Sequence, residues 1–168
     1  MARYRRFDVG SGVGVMPTAE PDLDEVRVRR AGLKAALSNL ELALAAPAQQ
    51  RVEWVAGVRD ALTTVREVWC RHIAETEAPG AFLDELVEEA PRLARQVSQL
   101  RREHNEVLSA IRRSEQHLGE VVLGDAYDSW ADDVRSELTA LLVALVRHRQ
   151  RGADLVYEAY DVDIGGGF

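Results

Sequence analysis

Apolar residues recur at alternating steps of three and four along four stretches of this chain, the spacing that lines one face of an α-helix. The first stretch reads Leu23, Val26, Arg30, Leu33, Leu37, Leu40 and Leu44, and the second Val55, Val58, Leu62, Val65, Trp69, His72 and Thr76. The third reads Leu93, Val97, Leu100, His104, Val107 and Ile111, and the fourth Val134, Leu138, Leu141, Leu145, His148, Gly152 and Leu155. Each stripe carries one ionisable residue at an inward place: Arg30, His72, His104 and His148.

The punctuation between the stripes sets the element boundaries. Asp22, after Pro21, is an N-cap with Asp24 and Glu25 in the first turn, so the first helix runs from about Leu23 to Ala46 and stops at Pro47. The second spans about Gln49 to Glu77 and ends at Ala78-Pro79-Gly80. A short helix, Ala81 to Glu89, precedes Pro91, which suits the first turn of a third long helix reaching Leu118. Asp128 or Ser129 caps the fourth, which reaches Tyr160. Four long amphipathic helices with short links predict an all-α fold, an antiparallel up-down four-helix bundle over residues 22–160. Residues 1–21 read as an irregular arm and 161–168 as a glycine-rich tail.

Composition agrees with one helical domain. The chain has 168 residues, 46% apolar and 29% charged, rich in Ala, Leu, Glu and Arg. A net charge of -7 is the wrong sign for gripping nucleic acid. The longest apolar run, "LTALLVALV", is about half of what a bilayer requires. The basic start lacks the apolar stretch of a signal peptide, so a cytoplasmic protein is expected. Cys70 stands alone, which excludes an internal disulfide; it reads as an inert, half-buried thiol. Trp54, Trp69 and Trp130 read as packing, His117 as surface, and "RHRQR" (147–151) as a solvated face.

The chemistry lies in the interrupted stripes. Three of four histidines face inward on three different helices. Buried imidazoles need partners, and in a bundle centre these are a metal, a carboxylate or one another. The segments "RRAGLKAALSNL", "HIAETEAPG", "REHNEVL" and "RHRQRGAD" resemble, in order, the four helix motifs of the hemerythrin-like (HHE) bundles. That resemblance implies a non-haem di-iron centre, with His72, His104 and His148 on ligand positions. Other ligand positions are altered: Arg30 replaces a histidine, Thr76 a glutamate, Leu108 a histidine and Ala153 a carboxylate. Guanidinium cannot ligate a metal and its charge opposes one.

The resemblance with these changes implies a degenerate centre. The reading carried forward is a non-catalytic binding or accessory protein, whose core holds a polar network of the histidines with Arg30 and Glu103. The alternative is a mononuclear site on His72, His104 and His148, with Glu75 as fourth ligand or orienting group. It would hold one iron or zinc and serve metal or oxygen sensing or storage. Phe168, at the end of the tail, would present its carboxylate to a protein partner or a second copy. No catalytic residue, nucleic-acid partner or membrane is implied.

Arg30 is expected to point inward, above the histidine level, paired with Glu75 or Glu103. Arg30→Ala should then cost about 3–5 kcal/mol in urea unfolding. Arg30→His should raise metal affinity in a titration. A neutral Arg30→Ala with no metal gained by Arg30→His places Arg30 on the surface.

Overall fold

The computed structural model describes the backbone of residues 23–161 and the side chains of 31–159. The side chain of Arg30 and the whole of Phe168, with what was expected of them, lie outside the described residues. The elements are α1 (Leu23–Ala45), α2 (Arg51–Glu77), α3 (Phe82–Glu89), α4 (Ala94–Gly119) and α5 (Tyr127–Asp161). Short 3₁₀ turns, Pro91–Leu93 and Gly124–Ala126, lead into α4 and α5. No strand occurs among the described residues.

α2 and α3 begin two residues and one residue later than expected, and two further starts differ in kind. Pro91 opens the 3₁₀ turn ahead of α4, not α4 itself, and the Leu93 N–H donates to the Ala90 carbonyl. α5 begins at Tyr127, before either expected cap, because the turn from Gly124 already delivers a fully buried Tyr127. Gly124 and Gly80 adopt φ of 80° and 71°, a region that glycine enters without a Cβ clash. At Gly80 this turns the chain after α2, and the Asp84 carboxylate accepts its N–H at 3.1 Å. Arg101 on α4 binds the same carboxylate and holds its pKa below the ordinary value.

α1 packs along α2, α4 along α5, and α2 against α4; α1 and α5 meet over less of their length. Contacts between helix ends fix the axial levels. Trp54 near the start of α2 meets Trp130 near the start of α5, edge to face at 6.2 Å. Arg59 of α2 donates to the Leu118 carbonyl of α4 at 3.1 Å. Farther along, Arg66 pairs with Glu115 at 3.1 Å, and Arg92 donates to the Glu158 carbonyl at 3.0 Å.

Every apolar position assigned inward by spacing is buried, wherever its side chain is described, from Leu33 to Leu155. The core is nevertheless in two parts. The larger runs through Leu40, Val58, Leu62, Ile111, Leu138 and Leu145. The smaller holds Leu83, Leu86, Leu93, Val97, Leu100 and Leu155, under α3. On α4 and α5 the boundary between them falls at Glu103, His104 and His148, which are 7%, 2% and 4% exposed.

Arg135 joins α5 to the end of α1. Its Nε and Nη2 donate to the carbonyls of Leu44 and Ala46, each at 3.1 Å, and its guanidinium lies 5.1 Å from the Trp54 ring centre. These carbonyls end a helix and have no partner within it. Arg135→Ala should therefore lower unfolding free energy by about 2 kcal/mol. Arg135→Lys should recover only part, since an ammonium cannot span both carbonyls. Chemical denaturation measures both.

Candidate metal centre

His72 on α2, His104 on α4 and His148 on α5 turn their Nε2 atoms toward one point. The separations are 3.2 Å (His104–His72), 3.1 Å (His104–His148) and 3.4 Å (His72–His148). Three nitrogens on a tetrahedral zinc, at Zn–N of about 2.0–2.1 Å, stand about 3.3 Å apart. The triangle already has the dimensions of a three-histidine ligand face. Among the described residues it is the group of side chains placed to hold a metal ion.

The outer ring nitrogens show why the inner ones face each other. His104 Nδ1 lies 2.5 Å from Glu77 Oε1, and His148 Nδ1 lies 3.1 Å from Glu103 Oε2. An Nδ1–H donated to a carboxylate leaves Nε2 as a lone pair. Such carboxylate–histidine pairs orient metal ligands and raise their basicity. Glu103 is itself held in place: Gln99, one turn earlier on α4, donates to Oε1 at 3.0 Å, and Arg151 Nε reaches the same oxygen at 2.8 Å. The Trp69 ring lies against all three imidazoles, with centres 5.2, 5.4 and 4.9 Å from those of His72, His104 and His148. Its Nε1–H donates to the His104 carbonyl at 3.3 Å, which fixes the indole as a wall on one side of the triangle.

No family model, curated protein or solved structure matches this chain. The chemistry of the centre is therefore read from its own geometry.

Of the residues singled out from sequence, His72, His104 and His148 come together, and Glu103 is buried beside them. Glu75 is exposed and contributes no atom to the cluster of ligand nitrogens. Glu77 meets His104 Nδ1 and takes an orienting role there. The reason is rotational: Glu77 lies one turn past Ile73, whose side chain packs against the core, and this row of α2 carries Glu77 to His104. The apolar Ile73, four residues before Glu77, was the available signal. Arg151 and Gln99 were also missed. The i, i+4 spacing of Gln99 and Glu103 is visible in sequence, whereas Arg151 reaches Glu103 only across the α4–α5 contact.

The altered positions with described side chains supply no ligand. Thr76 donates its hydroxyl to the His72 carbonyl at 2.8 Å, Leu108 packs on the core, and Ala153 is exposed. His117 is not a plain surface residue, because its Nδ1 meets Glu137 at 2.9 Å while Ser114 donates to the other oxygen of that carboxylate. Cys70 is exposed, not half-buried.

Burial pushes the His148 pKa down from 6.5 to about 4, helped by the neighbouring His104 and opposed by Glu103. The folded, metal-free chain thus keeps His148 neutral where the unfolded chain protonates it. The associated stability is complete above pH 6.5 and is lost as pH falls from 6.5 toward 4. The loss should be about 3 kcal/mol. Urea unfolding of chelator-treated protein across this range tests it, and His148→Gln should flatten the dependence.

Proposed function

We propose that this chain is a metal-binding helical bundle of up-down, antiparallel, hemerythrin-like form. Its centre holds one first-row divalent ion, zinc or iron, on the Nε2 atoms of His72, His104 and His148. The contacts of Trp54 with Trp130, Arg59 with Leu118 and Arg92 with Glu158 support the alternating helix directions. The observation that carries the metal reading is the Nε2 triangle, 3.1–3.4 Å on a side, with carboxylates on two of the outer nitrogens. With those outer protons given to Glu77 and Glu103, the shortest contact, His104–His148, places two lone pairs together. A cation at the centre turns that repulsion into ligation. The two carboxylates offset the charge of a dication, with Arg151 moderating the Glu103 side.

The role that fits is metal holding, in sensing or storage. No carboxylate joins the ligand cluster among the described residues, and Glu77 and Glu103 are engaged by the imidazoles. A metal-free His/Arg network serving an accessory function is the competing reading, and one measurement separates the two.

Protein purified without chelator should carry about one metal equivalent per chain by elemental analysis, and His104→Ala should lose it. Glu103→Gln should stay folded and bind about 10–100-fold more weakly. Chelator should lower the melting temperature, since an ion bound only to the folded state stabilises it. A blank metal analysis with a melting temperature indifferent to chelator selects the metal-free network. Two irons per chain would instead point to an intact di-iron centre.

A further inference from the structure

The middle of α5 is apolar on more than its core face. Leu138, Leu141, Leu142 and Leu145 are buried, while the exposed positions between Val134 and Arg147 are Ser136, Thr139, Ala140, Val143 and Val146. None of these five is charged, in a chain that is 29% charged. A helix apolar around most of its circumference is normally covered on both sides. Here α1 covers little of it, and a groove of about 440 Å³ opens between the two helices. It is lined by Glu41 and Leu44 of α1 and by Thr139, Leu142, Val143, Val146 and Arg147 of α5.

The charges of this groove identify its occupant. It has one acid, Glu41, and one base, Arg147. Glu41 lies three residues before Leu44, whose carbonyl Arg135 binds, so it sits at the Thr139 end; Arg147 marks the other end. Thr139 and Arg147 are each four residues from Val143. A two-fold axis through Val143, with α5 antiparallel to α5 of another copy, brings Glu41 of each chain to Arg147 of the other. It also sets Val143 against itself and Val146 against Ala140. A two-fold interface requires this kind of self-complementarity.

We infer that the outer face of α5, with the margin of α1, is the interface of a symmetric homodimer. Apolar contact at Val143 and Val146 supplies the attraction, and two Glu41–Arg147 pairs set the register. A partner of single charge would satisfy only one end of this groove, whereas a second copy satisfies both.

The test is the mass of the full chain in solution, by sedimentation equilibrium. At about 100 μM, where even a micromolar dimer is almost fully formed, the mass should be twice 18.7 kDa. Val143→Glu, at a site already 43% exposed, should give a monomer with unchanged helicity. Glu41→Arg and Arg147→Glu should each weaken the dimer about tenfold or more, and the two together should restore it. A monomeric wild type, a dimer that survives Val143→Glu, or a double swap no tighter than the single swaps overturns the proposal.

Discussion

Three imidazole nitrogens within 3.4 Å of one another, inside an apolar core, are the constraint on which the rest of the arrangement depends. They come from α2, α4 and α5, so a shift of any one helix along its axis separates them. The packing that prevents such shifts lies on either side. The larger apolar cluster holds the helices up to Trp69, Val107 and Leu145, and the smaller one holds α4 and α5 from Leu100 and Leu155 outward. A polar layer between two apolar ones is costly unless each group has a partner. The carboxylates of Glu77 and Glu103 meet that requirement on the outer nitrogens of His104 and His148.

The layer is wired to the surface on the α4–α5 side. Glu103 is nearly enclosed, but Gln99 and Arg151, which hold it, reach solvent. The charge that steadies His148 is therefore balanced at the protein surface rather than in the core, where an unmatched carboxylate would be much more costly. The Trp69 side is different. There an indole with no solvent exposure packs on all three rings. The centre is thus closed toward the larger apolar cluster, while His104 and His148 connect outward through Glu77 and Glu103.

The same division shows in α5. Its inner face is fixed by the core and carries His148; the exposed positions of its outer face, centred on Val143, are free of charge for about three turns. One helix carries both a ligand of the candidate centre and the proposed dimer contact. The two faces share a backbone but no side chain, so occupancy of one does not require the other.

The inward faces of the helices, the three converging histidines and the buried Glu103 could be read from sequence, because a helix advances about 100° per residue and a three-four spacing has one geometric meaning. The ends at Pro47 and at Ala78-Pro79-Gly80 were legible for an equally local reason: proline and glycine act on their own backbone. What surrounds the histidines was not legible. That Glu77 reaches His104 depends on how α2 is rotated against α4, and that Arg151 reaches Glu103 depends on how α5 lies beside α4. The groove at Val143 depends on how far α1 stands from α5. Side-chain spacing along one helix carries no record of the rotation, level or distance of the next; packing between helices fixes these, and only the tertiary structure contains it.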